Sequence, residues 1–422
     1  MIFKKKNKSF TLLFTVMFLL TCSVSSKEIS SSVNGLTLDE CVSIALNKNP
    51  MIVSALKRYE ASKARVYQAK AFPQPEIAYD SDFQPIFFNF REAKESYLGM
   101  NQLLEFPGKR FLRGKIAKKE SDEFLAEVEI IKLDLIFQLA KAFYKLLLSH
   151  EIESYARENL SLSKDFFDKA RIKYETGDVA RFEVLRAEVE VAKAENELKI
   201  ATNEIKLSIA RLNFLLAREK YQPLEILGKL KREPLRLKLE DLQNLAFINR
   251  PEMRKINNSI ERENLSYKYA SLGYMPDFNL NVSEHRIKES AENFGRVAFS
   301  LSLPVFFWQR KKGEIAEAKA NIDSFKYELE YIKNLISLEV EEAYLNSIAL
   351  ENQIRLFEEQ ILKQAEKVYE MTILSYQEGA VGSLDLIESR RTLIEAKKSY
   401  AEALFNYNLS IAELEKAIGK KI

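Results

Sequence analysis

LTLDECVSIALNKNP at 36–50 and LKLEDLQNLAFINRP at 237–251 are two copies of one segment, 201 positions apart. Leu36, Leu38, Asp39, Ala45 and Pro50 recur as Leu237, Leu239, Glu240, Ala246 and Pro251. Downstream, YETGDVARFEVL (174–185) returns as YQEGAVGSLDLI (376–387), now 202 positions on. There Tyr174, Gly177, Val179 and Glu183 are matched by Tyr376, Gly379, Val381 and Asp385. Ser208-Ile209-Ala210 returns at the same 202 as Ser410-Ile411-Ala412. A period this long is not that of a solenoid unit. It marks a duplicated half-molecule, so each half has to build the same set of elements. The expected organisation is a first repeat at 36–221, a linker at 222–236 and a second repeat at 237–422.

Within each half the hydrophobic period says what those elements are. Residues 108–175 hold no proline, and glycine only at Gly108 and Gly114. Leu135, Leu139, Ala142 and Leu146 step by 4, 3 and 4, the spacing of a coiled-coil seam, with Ile136, Phe143 and Leu147 beside it. Two adjacent stripes put neighbours on both sides of one helix about 100 Å long. Residues 314–378 repeat the pattern through Ile354, Phe357, Ile361, Ala365 and Val368. Gly177 and Gly379 suit left-handed helix caps, and further helices follow at about 180–217 and 383–418. Each half therefore ends in a long helical hairpin.

Ahead of each hairpin the period drops to two. Phe278, Leu280 and Val282 alternate with Asn279, Asn281 and Ser283; Val297, Phe299, Leu301 and Leu303 alternate with Arg296, Ala298, Ser300 and Ser302. The first half has a rougher version: Ile77, Tyr79 and Phe83 against Ala78, Asp80 and Asp82, then Leu98, Met100, Leu104 and Phe106 interrupted by Gln102. Prolines 75 and 276 precede the strand pairs and prolines 107 and 304 follow them. Aromatics flank them at Phe72, Phe87-Phe88-Phe90, Tyr274 and Phe306-Phe307-Trp308, as an interfacial girdle would. Alternating strands of about ten residues fit a transmembrane β-barrel. Four strands cannot close one, and an open edge in lipid is prohibitively costly, so several copies must contribute; three supply twelve strands.

The first residues read as an export signal, with Lys4, Lys5, Lys6 and Lys8 ahead of an apolar run at Phe10–Leu20 that is too short to span a membrane as a helix. Residues 1–21 are read as the signal and 22–35 as a linker. Two cleavage routes stay open. Cys22 resembles a lipoprotein processing site, although Thr21 departs from the usual small residue before it; ordinary cleavage near Ser25 or Ser26 is the other. Cys41, the second of two cysteines, reads as a small core residue. The 64 basic and 61 acidic residues are interleaved, which points away from nucleic acid. His150 and His285 are the chain's two histidines and read as surface or lumen residues, since a metal site needs several convergent donors. No phosphate loop, paired-cysteine zinc motif or nucleophile elbow is present, so no catalytic residue, metal site or cofactor is assigned.

The opening segment, the strand hairpins, the doubled Y-x-x-G-x-V motif and the duplication resemble the TolC family of outer-membrane efflux proteins, from about Leu36 to the end. EFPGKRFLRGKIAKKES (105–121) and LPVFFWQRKKGEIAEAKA (303–320) are most similar to its CzcC-type heavy-metal cation efflux branch. The resemblance implies a mostly α protein with a small β part. It implies a homotrimer whose 12-stranded barrel sits in outer-membrane lipid above a periplasmic α-barrel. It implies a passive, gated exit duct and not an enzyme, working with a periplasmic adaptor (membrane fusion) protein and an inner-membrane transporter of the RND type. Asp385 and Glu388 match the family's acidic gate at the periplasmic constriction, and Glu183 matches a gate-latch position. The latch's usual basic partner falls at Val381, so that pair is absent; Arg181, Arg390 or Arg391 are the candidate substitutes. By position alone, Asp385 and Glu388 are also ordinary charges at a helix start. Two further readings are carried: an outer-membrane component of protein secretion, and a coiled-coil lipoprotein with a structural or binding role.

Overall fold

A computed structural model describes residues 35–422 except 88, 291 and 304, and not the side chains of 307 and 308. The signal at 1–21, Cys22 and all but the last residue of the 22–35 linker lie outside the described residues, as do Phe88 and Pro304.

The first half runs α1 (Leu38–Lys48), α2 (Pro50–Lys70), β1 (Glu76–Asp82), β2 (Glu95–Leu104), α3 (Lys109–Glu175) and α4 (Arg181–Leu215). The second runs α5 (Leu239–Asn249), α6 (Pro251–Ser271), β3 (Asp277–Ile287), β4 (Asn293–Ser302), α7 (Phe307–Leu356), α8 (Leu362–Gln377) and α9 (Ser383–Ile418). Local chemistry sets the helix starts. Thr37 caps α1, its backbone N–H donating to Glu40 Oε2 at 2.8 Å while Glu40 N–H returns to Thr37 Oγ1 at 3.4 Å. Pro50 and Pro251 occupy the first turns of α2 and α6, where a missing N–H costs nothing. The residue before each proline does one job in both halves. Asn49 Nδ2 donates to the Leu215 carbonyl at 2.9 Å, and Arg250 Nη1 to the Lys416 carbonyl at 3.1 Å. Each ties a short helix to the last turn of a long one.

The predicted seam is the core. Leu135, Leu139, Ala142 and Leu146 are buried with Cys41, Ala45 and Leu212. Their counterparts Ile336, Val340 and Ala343 are buried with Ala246 and Leu414. Each fully buried Leu contributes about 1.5–3 kcal/mol. Desolvation lifts the Cys41 thiol to about 11, which suits an inert packing residue.

The seam pairs 135/336, 139/340 and 142/343 stand 201 apart, whereas Tyr174 and Tyr376 beyond them stand 202 apart, as do Leu212 and Leu414. The second half carries one extra residue, and the structure shows where. α3 is unbroken for 67 residues, but a π-turn at Phe357–Ile361 separates α7 from α8. A single insertion is what converts an α-turn into a π-bulge. The helix expected across 314–378 is therefore interrupted. Smaller departures occur in the strands. β1 stops at Asp82, because Phe83 adopts a left-handed φ of 56°, and Phe106 lies beyond β2.

The four strands form one antiparallel sheet in the order β1-β2-β3-β4, joined between halves at β2:β3. The register aligns Ile77, Met100, Val282 and Val297 across one face, with Leu104, Phe278 and Leu301 in another row of it. The other face aligns Ala78, Gly99, Ser283 and Arg296, and includes Asn101, Asn281 and Ser300. Gly99 is needed there, since a Cβ would stand 2.6 Å from that of Ser283. Ile77 is 82% exposed and Val297 73%, an apolar face without cover in the single chain. No helix among the described residues is long and apolar enough to cross a membrane.

Sheet and helices meet at a polar clamp. Lys109 Nζ donates to Asp277 Oδ1 at 2.8 Å and to the Met275 carbonyl at 2.9 Å, and Phe106 N–H donates to the same Asp277 oxygen at 2.7 Å. The start of α3 is thus fixed to the start of β3, in the other half. Below the clamp, α3 packs on α2, α4, α6 and α9, while α7 packs on α6 and α9, so the long helices lie side by side as α4, α3, α9, then α7–α8.

Helix ends supply a test. α9 closes through Gly419 at φ 80°, whereas the equivalent position after α4 is Ala217 at φ 53°. Both form the same cap, with Arg218 N–H reaching the Asn213 carbonyl and Lys420 N–H the Glu415 carbonyl. Ala217→Gly should stabilise the first half by about 0.5–1 kcal/mol, because glycine carries no penalty at positive φ. Gly419→Ala should destabilise the second by at least as much, since its Cβ meets the Asn249 carbonyl group at 3.2 Å. Thermal unfolding followed by helical circular dichroism should move in opposite directions for the two.

Candidate functional site

The free ends of the two helical hairpins bring the predicted gate residues together. Gly177 (φ 85°) and Gly379 (φ 79°) end α3 and α8 in matching caps: Asp178 N–H bonds the Lys173 carbonyl and Ala380 N–H the Ser375 carbonyl, both at 2.8 Å. A Cβ at either glycine would meet nothing within 4 Å, so backbone conformation alone selects glycine. The two tips are joined. Lys173 Nζ donates to the Tyr376 carbonyl at 3.0 Å and lies 4.3 Å from that ring's centroid. Tyr376 packs with Phe166, Ala170, Ala187 and Leu386, and Val381 lies against this cluster.

Asp385 and Glu388 are both exposed on the first turns of α9. Asp385 Oδ2 accepts the Gly382 backbone N–H at 3.2 Å, so it caps its own helix while presenting charge to solvent. Glu388, three residues on, shares its side of the helix. One chain brings these two carboxylates together at the tip.

Glu183 does not meet Arg181, Arg390 or Arg391. It accepts a hydrogen bond from the Ser383 hydroxyl and lies 3.8 Å from Arg186 Nη1. Arg390 instead bonds Glu190, Nη2 to Oε2 at 3.1 Å, and Lys398 bonds Glu197 at 3.2 Å. Although α3 stands between α4 and α9 in the row, the two meet toward the tip, where polar contacts lace them at three places about two turns apart. The middle one is buried: the Arg390 side chain is 5% exposed and its Nε has no hydrogen-bond partner. Burial pulls the Arg390 pKa below the ordinary guanidinium value, against the opposing effect of Glu190. Sequence reasoning missed this lacing. The signal was present in acidic residues seven apart on α4 (183, 190, 197), facing polar residues 200 or 201 positions later. Among the described residues, no three His, Cys, Asp or Glu side chains converge into a closed metal-binding group.

A sheet with one apolar and one polar face, set on long helices whose far ends gather carboxylates, defines an outer-membrane channel protomer. The outer membrane efflux protein family model matches residues 41–218 and 242–420, and the chain belongs to that family. It is an exit duct for efflux, placed in the outer membrane and extending into the periplasm. It is similar to the cobalt-zinc-cadmium resistance protein CzcC of Cupriavidus metallidurans (23% identical, covering 91% of this chain and 90% of that one). Outer membrane protein TolC of Vibrio cholerae is 21% identical over 95% and 94%. Solved structures share the fold. CusC superposes with a TM-score of 0.78 at 15% identity, covering 91% of this chain and 92% of its own. The open state of Neisseria gonorrhoeae MtrE gives 0.77 at 19%, covering 91% and 89%.

The buried pair at the tip predicts an asymmetry. Glu190→Gln leaves the Arg390 charge uncompensated and should cost about 3 kcal/mol, whereas Arg390→Met, of similar volume, leaves Glu190 paired with Lys193 at 2.9 Å and should cost less. Hydrogen exchange of amides in 183–198 and 383–398 should rise strongly in the first variant and change slightly in the second.

Proposed function

We propose that three copies of this chain close into one continuous duct. The observation that carries this reading is that sheet and helical layer are both left open. β1 and β4 are the unpaired edges of the sheet, and α4 and α7–α8 are the outer members of the helical row. The helical edges also expose apolar stripes at seven-residue spacing. Ile200, Leu207 and Phe214 are 62%, 57% and 78% exposed on α4; Tyr331, Leu338 and Leu345 are 64%, 50% and 55% exposed on α7. Spacing of this kind is a coiled-coil seam without its partner. A cleft of about 1020 Å³ beside α4, lined by Met51, Leu207, Phe214 and Tyr221, continues the apolar edge. A head-to-tail ring pairs β4 with the next β1 and the α7 stripe with the next α4. Two copies would give eight strands, a bore filled by side chains; three give twelve and leave a passage.

In this reading the repeats at 36–221 and 237–422 build the protomer, and Cys22 carries a lipid anchor. Asp385 and Glu388 from three copies ring the periplasmic constriction, and Glu183 with Ser383 latches it. The protein is a passive channel and not an enzyme. Energy comes from an inner-membrane transporter of the RND type through a periplasmic adaptor. The similarity to CzcC supports heavy-metal cations as the exported solute.

Light scattering in detergent should give a trimer, and Leu207→Glu with Phe214→Glu should release monomer by placing charge in the seam. A stable wild-type monomer defeats the closure. Asp385→Asn with Glu388→Gln should lower cation preference and weaken block by a trivalent cation from the periplasmic side, with trimers intact, because carboxylate rings set selectivity in narrow pores. Reversal potentials in planar bilayers under a salt gradient measure this. An unchanged double variant places the constriction elsewhere.

A further inference from the structure

At the end of the sheet farthest from the helices, one of the chain's two histidines is held against a carboxylate on the polar face. His285 Nε2 lies 3.1 Å from Glu95 Oε2. Its ring stacks on Tyr97, centroids 4.3 Å apart at 7°. The Tyr97 hydroxyl donates to the same Glu95 oxygen at 3.0 Å. In register, His285 stands opposite Tyr97 and Phe294, and Glu95 is the first residue of β2. Stacking fixes the imidazole plane and the phenol fixes the carboxylate, the support that outer-shell groups give to metal ligands.

We propose that His285 and Glu95 form a two-donor transit site for a borderline-soft divalent cation, such as Zn²⁺ or Co²⁺, at the outer mouth of the bore. The inference rests on the reading that the polar face lines a bore. Two donors 3.1 Å apart, each at about 2.0–2.2 Å from a metal, subtend about 90–100° there, within the range of octahedral and tetrahedral coordination. Nε2 offers its lone pair when the imidazole proton sits on Nδ1, so the cation takes the place of the Nε2–carboxylate hydrogen bond. Water completes the shell. A duct needs such a site to be weak, since an ion held by many ligands would not leave. Asp80 and Asp82 on β1 share the face and draw cations in, while Arg296 on β4 shares it and limits their residence. Arg286 and Glu284, on the opposite face, pair with each other at 3.2 Å.

Zn²⁺ titration calorimetry on the full-length detergent-solubilised protein tests this directly. Wild type should bind one more Zn²⁺ per protomer than His285→Asn, with Glu95→Gln weakening the same site at least ten-fold. Mg²⁺ should not compete, because imidazole selects against it. Equal Zn²⁺ stoichiometry and affinity in wild type and both variants overturns the proposal, as does full competition by Mg²⁺, which would mark a carboxylate-only site. Planar-bilayer recording separates this from the pore reading. ZnCl₂ on the loop side should block wild type and spare His285→Asn; block that persists in His285→Asn overturns the site. Conductance in plain salt reports the pore; loss of the calorimetric site removes the transit site, whatever the conductance.

Discussion

An unpaired backbone edge in hydrocarbon is the constraint from which the rest of this molecule follows. Each orphaned N–H or C=O in lipid costs several kcal/mol, and a row of them along β1 and β4 has no remedy inside the chain. In the proposed ring, closure by neighbouring copies satisfies both rows. The helical layer is tied to the sheet, because Lys109 and Asp277 clamp the two together. A sheet that ends at β1 on one side and β4 on the other therefore stands over helices that end at α4 and α7–α8.

The duplication lets one set of rules build both layers. Period-two segments bounded by prolines can only be strands, and seven-residue seams without proline can only be long helices. The halves then differ where their jobs differ. Arg250 ties α6 to α9 as Asn49 ties α2 to α4, but bonds Glu339 at 2.7 Å where Asn49 instead caps its own helix. Between α3 and α6 the halves are joined by charge, with Arg262 on Glu123 at 2.8 Å and Lys119 on Glu261 at 2.5 Å. Such pairs set the register of two helices more than they strengthen it.

Much of the fold was legible in the sequence because hydrophobic period and breakers are local signals. Leu135 to Leu146 gave the seam, and Gly177 and Gly379 gave the turns. Strand ends were less legible: Phe83 continues the alternation of Ile77 and Tyr79, yet its left-handed backbone takes it out of β1. The tips were half legible. Spacing could put Asp385 and Glu388 on one helix face, but could not find the partner of Glu183, since Arg186, Ser383 and Arg390 compete on geometry that no linear pattern encodes. Glu190 takes Arg390, and Ser383 is left for Glu183.

The π-turn at Phe357–Ile361 works as an expansion joint. One added residue in a plain α-helix would swing everything beyond it by about 100° and bring the wrong side of α8 to its neighbours. Confining the extra residue to one widened turn leaves Tyr376 and Gly379 in phase with Tyr174 and Gly177. The joint is braced from outside, by Tyr400 on Glu358 at 3.0 Å and by Arg232 on the same carboxylate at 3.3 Å. The two legs of the protomer can thus differ in residue count and still set their feet down together, so a chain built by copying itself was free to lengthen one copy without losing the match at the tip.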